Sequence, residues 1–118
     1  MDGISQEQLI QHYVNKLVDC GHPLGIILFG SQARGTATED SDVDLLVIEE
    51  SLVPEHRRAI PYRKALRPRL TPVDLLVLTP KEVEEEYTQK RAFMVNVIEE
   101  GRWVYGNPGR AGLSRLGK

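Results

Sequence analysis

Apolar residues near the start of the chain recur at the spacing that places them on one face of an α-helix. Ser5 and Gln8 form a capping-box pattern in front of this segment, and Gly21 followed by Pro23 ends it. These signals predict an amphipathic helix over residues 5–20, with an apolar face made of Leu9, Ile10, Tyr13, Val14, Leu17 and Val18.

Short, nearly continuous apolar runs farther along the chain are typical of buried β-strands, because turn-forming residues bound each of them. They predict strands over 24–29, 42–48 and 72–78, with a last short strand over 103–105. The segments between them predict a turn with a short helix over 30–37, and longer helices over 54–67, 81–87 and 91–100. Pro61 could interrupt the basic helix, whereas Thr79 and Pro80 suit a helix start.

Alternating strands and helices predict an α/β (α+β) domain with a small mixed β-sheet and flanking helices. We expect the helices to cover one face of the sheet and to leave a candidate site on the other face. The 118 residues fit one domain, expected over residues 1–106. The remaining residues 107–118 are rich in glycine and poor in apolar side chains, which is typical of a disordered tail.

Composition and charge narrow the class of protein. Hydrophobic residues make up 41% of the chain and charged residues 27%, which excludes a fibrous or wholly disordered chain. No apolar run approaches the roughly 18 residues that span a bilayer, and the N-terminus shows no secretory signal, so we expect a cytoplasmic protein without a membrane partner. The single cysteine, Cys20, is expected to be a small buried hydrophobe. The net charge of −2 disfavours direct nucleic-acid binding.

The turn after the first predicted strand carries the first candidate chemistry. Gly30 lets the backbone approach a ligand closely, and Ser31 offers a hydroxyl and an N–H at a helix start, where free N–H groups attract phosphate. Arg34 lies one turn farther on, where its guanidinium could reach a phosphate or serve a structural role. The simpler alternative for Ser31 is that it caps its helix.

Three aspartates at the starts of two apolar strands form the second candidate group. Asp42 and Asp44 are two residues apart in a strand, so their side chains share one face and their charges repel, by on the order of 3 kcal/mol. Asp74 begins the strand over 72–78 and would face the same site if the two strands pair. A divalent cation would relieve the repulsion, whereas the alternative places these aspartates in water at a strand mouth. Three carboxylates beside a phosphate-receptive helix end favour metal-dependent phosphoryl or nucleotidyl transfer.

The spacing of these residues resembles that of a known superfamily. Gly30-Ser31, a gap of ten residues, Asp42-Val43-Asp44, and Asp74 on a later strand are similar to the motif of the nucleotidyltransferases related to DNA polymerase β. In particular, the segment over 24–78 resembles the minimal nucleotidyltransferases, or MNT proteins. Many of these are antitoxins of a partner RNase toxin with a HEPN domain, and some transfer AMP from ATP to a tyrosine of that toxin.

The resemblance implies a polymerase β palm-like fold, ATP as co-substrate and two Mg²⁺ ions. It implies that Gly30 and Ser31 hold the triphosphate and that Asp42 and Asp44 bind the metal ions. Asp74 would complete the metal site and activate the attacking hydroxyl. We expect no second domain that grips an acceptor, so the resemblance implies that a partner supplies it.

Two other functions stay open. The protein could be a non-enzymatic antitoxin that neutralises its partner by binding, or a nucleotidyltransferase that acts on a small molecule. A basic cluster on the predicted helix over 54–67 and just beyond it is expected to be a solvated face, although it could dock an acidic partner or RNA. The cluster consists of Arg57, Arg58, Arg63, Lys64, Arg67 and Arg69.

Overall fold

The computed structural model describes residues 5–35, 42–68 and 72–116. Within these ranges the order of helices and strands agrees with the sequence expectations, and α3 continues through Pro61 without a break. The elements are α1 Gln6–Cys20, β1 Gly25–Phe29, α2 Ser31–Arg34, β2 Val43–Ile48, α3 Glu55–Ala65, β3 Val73–Leu78, α4 Pro80–Thr88, α5 Ala92–Glu100 and β4 Arg102–Gly106.

The four strands form one mixed sheet in the order β3-β2-β1-β4. β1 pairs in antiparallel fashion with β2 and β4, whereas β2 and β3 are parallel. Parallel neighbours need a long crossover connection, and α3 supplies it. The predicted mixed α/β architecture is therefore confirmed.

Apolar clusters cover both faces of the sheet. The first lies under α1 and α3 and includes Tyr13, Leu45 and Tyr62. The second lies under α4 and α5 and includes Leu46 and Met94. The expectation that helices cover only one face is wrong, because α4 and α5 also carry apolar faces that need burial.

Both ends of α1 follow their sequence signals, because the helix ends at Cys20 with Gly21 as its C-cap, but the expected burial of Cys20 is not found. The Ser5 side chain accepts a hydrogen bond from Gln8 N, and the Gln8 side chain accepts one from Ser5 N, which confirms the capping box. Cys20 is exposed, and its thiol donates to Pro61 O at 3.6 Å, so the expected burial is wrong. Helical periodicity identifies the buried face of α1, but it does not show where the helix extends past the core beneath it.

β3 is an edge strand whose outward carbonyls accept hydrogen bonds from arginines of α3. Its carbonyls at Pro72 and Leu78 face β2, because they accept from Val43 N and Glu49 N. Two arginines of α3 donate to the outward carbonyls. Arg58 Nη1 donates to Val77 O, and Arg63 Nη2 donates to Leu75 O, each at 3.3 Å.

The burial of Arg58 shows that the expectation of a fully solvated basic face on α3 is wrong. Arg58 is 9% exposed, donates to Val53 O at 2.7 Å, and forms a two-bond ion pair with Glu82 at 2.6 and 3.1 Å. Its guanidinium holds the pKa of the Glu82 carboxyl below its usual value. Arg57, Lys64 and Arg67 are exposed as expected, and Arg69 lies outside the described residues.

The segment after β4 packs against the second cluster. Residues 107–116 form successive turns, and Ala111 and Leu113 are buried in that cluster. The Asn107 side chain accepts a hydrogen bond from Arg110 N at 2.8 Å. The expected disordered tail is therefore wrong for these residues, because their few apolar side chains complete the core, while residues 117–118 lie outside the described part.

None of the helices in the described ranges is long and apolar enough to cross a membrane.

Candidate active site

A row of three side chains crosses the sheet at one level. Phe29 at the end of β1 is the register partner of Asp44 in β2, and Asp44 is the register partner of Asp74 in β3. Register partners on paired strands point to the same face, so the two carboxylates are neighbours. The parallel pairing of β2 and β3 thus brings together two of the three aspartates identified from sequence.

Asp42 extends this row by one position before β2. Val43 is buried in the first cluster, on the opposite face, so alternation puts Asp42 on the same side as Asp44. Asp42 and Asp74 are exposed to solvent, whereas Asp44 is half-buried. The carboxylates therefore lie at the open end of the face that α4 and α5 cover.

Gly30 contacts this row from the turn that follows β1. Its φ is 75°, in the left-handed region, and a Cβ at this position would overlap the Asp44 Oδ2 atom. Glycine is therefore needed for the backbone conformation and for the close approach. The structure brings the candidate phosphate-binding turn against the candidate metal-binding carboxylate, as the sequence predicts.

The short helix α2 starts at this turn. Gly30 occupies the N-cap position and no side chain makes a capping hydrogen bond there, so Ser31 is the first helical residue and does not cap its own helix. Ser31 is half-buried beside the turn. Arg34 is the last residue of α2, and its side chain lies outside the described part.

Two cavities flank the row of side chains. The larger, of about 260 Å³, is lined by Phe29, Asp44, Arg63, Asp74, Leu75, Leu76 and Phe93. The smaller, of about 140 Å³, lies on the side of Gly30 and is also lined by Phe29 and Phe93. Sequence reasoning missed Phe93 and treated Arg63 only as part of the basic cluster, because both reach the site from helices whose placement depends on tertiary packing.

The sequence matches the nucleotidyltransferase domain family over residues 10–104. The chain belongs to this family. A relative from Methanocaldococcus jannaschii, named "Putative protein adenylyltransferase MJ0604", is 34% identical over an alignment of 106 residues. The match covers 86% of this nucleotidyltransferase and 100% of the relative.

Two solved structures resemble this nucleotidyltransferase in fold. A crystal structure of a toxin–antitoxin with AMP-PNP superposes with a TM-score of 0.64 at 23% sequence identity. The match covers 92% of this chain and 80% of the chain in that structure. The structure of a variant of the toxin–antitoxin MntA-HpeT superposes with a TM-score of 0.60 at 18% sequence identity. This match covers 93% of this chain and 80% of the chain in that structure. These similarities confirm the predicted nucleotidyltransferase fold.

The donor set of the site suits the divalent metal that nucleotidyltransferases generally use. Asp42, Asp44 and Asp74 offer carboxylate oxygens, which are the ligands that Mg²⁺ prefers. Among residues 5–35, 42–68 and 72–116, no three His, Cys, Asp or Glu side chains form a ready-made metal site. Mg²⁺ is usually held by one or two carboxylates together with substrate phosphates and water. The neighbouring Asp44 and Asp74 fit that mode of binding.

Proposed function

We propose that this nucleotidyltransferase is a Mg²⁺-dependent protein adenylyltransferase that transfers AMP from ATP to a tyrosine hydroxyl of a partner toxin and so acts as an antitoxin. The observation that carries the proposal is the contact between Gly30 and Asp44, with Asp74 next to Asp44 on the parallel strand. A triphosphate held at Gly30 would have its α-phosphate beside these carboxylates. Because the co-substrate is ATP, we assign the reaction to the cytoplasm.

The residues of the site have different roles in the proposed reaction. Gly30 and Ser31 bind the β- and γ-phosphates through backbone N–H groups and a hydroxyl, and Arg34 adds a positive charge. Asp42, Asp44 and Asp74 would hold two Mg²⁺ ions, which stabilise charge on the attacking and leaving oxygens.

The transfer itself is a displacement at the α-phosphorus. The acceptor oxygen forms a bond to this phosphorus, and its proton passes to the Asp74 carboxylate. The bond from the α-phosphorus to the bridging oxygen breaks, and pyrophosphate leaves. The products are the adenylylated acceptor and pyrophosphate, so no oxidant or reductant is needed.

A macromolecular acceptor is supported by the relatives of this chain. The relative from Methanocaldococcus jannaschii is named for protein adenylylation, and two of the structures with this fold are toxin–antitoxin assemblies. We propose a HEPN-domain RNase as the toxin. The neighbouring reading frame is expected to encode a short helical protein with an Arg-x₄₋₆-His motif, and its absence would contradict this choice of partner.

The proposed function is tested by incubating the purified chain with labelled ATP, Mg²⁺ and the partner protein. The double variant Asp42→Asn with Asp44→Asn keeps side-chain size but removes two charges. Metal-derived stabilisation is worth several kcal/mol and each 1.36 kcal/mol is tenfold in rate, so we expect labelling to fall by at least about a hundredfold. Asp19→Asn, on the exposed surface of α1, is the matched control and should label the partner at the wild-type rate.

Two results would contradict the assignment. Wild-type labelling by the double variant would show that the carboxylates are not catalytic. If neither protein labels the partner but both bind and silence it, the protein is an antitoxin by binding alone.

A further inference from the structure

An aromatic pair separates the two cavities of the candidate active site. Phe29 and Phe93 meet edge to face with ring centroids 5.4 Å apart, and Phe93 is 45% exposed. Phe93 lines the smaller cavity together with Gly30 and the larger cavity together with Asp74. The Phe93 ring is therefore accessible from both cavities and can contact a ligand in either one.

The order of groups across the sheet gives the two cavities different roles. Gly30 follows β1, Asp44 lies on the central strand β2, and Asp74 lies on the edge strand β3. In phosphoryl transfer the attacking and leaving oxygens are roughly in line. If pyrophosphate leaves toward Gly30, the acceptor hydroxyl must approach from the side of Asp74, which is the larger cavity.

The lining of the larger cavity suits an aromatic acceptor. Leu76 and Phe93 supply apolar surface, and Arg63 supplies a cation. The hydrogen bond from Arg63 Nη2 to Leu75 O fixes the guanidinium at the cavity, and four further N–H donors remain on this group. A phenol ring can meet Phe93 edge to face and Arg63 through a cation–π contact, whereas an aliphatic hydroxyl can make neither contact.

We infer that Phe93 and Arg63 form the acceptor subsite of this nucleotidyltransferase and select a phenolic hydroxyl over an aliphatic one. The inference rests on the proposed function, because it takes Gly30 to hold the leaving pyrophosphate. It adds two side chains that bind the acceptor and take no part in metal binding.

The test is equilibrium binding of N-acetyl-tyrosinamide to the full chain, saturated with Mg²⁺ and α,β-methylene-ATP so that no transfer occurs. Binding is followed by NMR shifts of the cavity side chains. We expect saturable binding to the wild-type chain, and at least tenfold weaker binding of N-acetyl-serinamide. Phe93→Leu should weaken tyrosinamide binding at least tenfold. Phe93→Tyr, which keeps an aromatic ring at this position, should bind tyrosinamide as tightly as the wild-type chain does.

Matched variants separate the subsite from general surface effects. Arg63→Gln should weaken tyrosinamide binding at least threefold, whereas Arg57→Gln on the same helix should leave it unchanged. Ile60→Ala removes an apolar side chain that is as exposed as Phe93, at 44%, and should also leave binding unchanged. Circular dichroism of each variant checks that the chain remains folded.

The inference is overturned if the wild-type chain binds tyrosinamide no better than serinamide, or if Phe93→Leu binds it normally. It is also overturned if Phe93→Leu weakens only α,β-methylene-ATP, because the ring would then contact the adenine. Transfer from labelled ATP to the partner is measured separately. A chain that binds the phenol as expected and transfers no AMP contradicts the proposed function and leaves the binding subsite standing.

Discussion

At the scale of single residues, Gly30 meets two requirements that no other residue type meets together. Its φ of 75° disfavours a side chain, and a Cβ would overlap the Asp44 carboxylate. Gly35 has almost the same φ, 76°, but no atom in the described part of the chain lies within 4 Å of its Cβ position. Gly35 has a ψ of 15° and is in the αL conformation, whereas Gly30 has a ψ of −155°, which is essentially confined to glycine, so Gly30 combines a larger backbone cost with the contact to the carboxylate.

We expect Gly35→Ala to lower the free energy of unfolding by about 1–2 kcal/mol, which is the usual cost of left-handed backbone. Gly30→Ala should cost a further ~1–3 kcal/mol, because its backbone conformation is essentially confined to glycine and because the added methyl group has to displace Asp44. Urea denaturation followed by circular dichroism measures both losses. Equal losses for the two variants would contradict the close packing of Gly30 on Asp44.

The residues of the candidate site differ in how well the sequence could predict them. Gly30, Asp44 and Asp74 lie on or next to strands, where alternation fixes the face and motif spacing indicates the chemistry. Phe93 and Arg63 come from helices, and their contact with the site depends on how those helices pack on the sheet. No local signal distinguishes Arg63 from its exposed neighbours on α3, so the sequence could not single it out.

At the scale of elements, Glu82 links the start of α4 to α3. Its side chain accepts from Thr79 N at 2.8 Å in the α4 capping box, and it also pairs with Arg58. The predicted cap at Thr79 is confirmed, but the ion pair could not be predicted, because periodicity does not show which arginine of a basic helix turns inward. Propensity and capping signals are local, whereas the position of a helix against an edge strand is not.

Glu82→Gln should lower the free energy of unfolding at pH 7 by about 2–3 kcal/mol. This is below the ~3–5 kcal/mol for a broken fully buried pair, because the Glu82 side chain is 34% exposed. The hydrogen bond from Arg58 lowers the pKa of Glu82 below 4.5 in the folded chain, so the unfolded chain binds more protons near that pH. The contribution is therefore complete well above pH 4.5 and is lost as the pH falls through the folded pKa.

The measurement is urea denaturation of wild type and Glu82→Gln between about pH 7 and pH 3. We expect the gap in stability between them to shrink below about pH 4.5. Glu85→Gln, at an exposed position of the same helix, is the control and should show no such change. If the difference in the free energy of unfolding between wild type and Glu82→Gln stays constant over this pH range, the ion pair with Arg58 is not the source of that difference.

At the scale of the whole molecule, nucleotide binding should appear as added stability. A ligand that binds only the folded chain stabilises it by about 2.7 kcal/mol at a hundred times its Kd. We expect α,β-methylene-ATP with Mg²⁺ to raise the melting temperature of the wild type and of Asp19→Asn. The double variant Asp42→Asn with Asp44→Asn should lose this rise while remaining folded. The melting temperatures are measured by calorimetry. If the melting temperature of the double variant rises as much as that of the wild type, nucleotide binding does not depend on these carboxylates.

The amino-acid sequence predicted the order of helices and strands along the chain better than their arrangement in space. Apolar runs and caps predicted the elements, because those signals are local. The strand order β3-β2-β1-β4, the helices on both faces and the packed segment over 107–116 depend on contacts between residues far apart along the chain. The MNT resemblance supplied the fold family where the pattern alone gave only a mixed sheet.

The hydrogen bonds from Arg58 and Arg63 to the outer edge of β3 have a consequence for self-association. A bare edge strand is a template for aggregation and for peptides that bind by strand addition. On β3 the carbonyls of Leu75 and Val77 already have donors, so an incoming strand would have to displace two guanidinium groups. These hydrogen bonds oppose growth of the sheet at this edge, and they favour recognition of side chains over backbone by a protein that docks there.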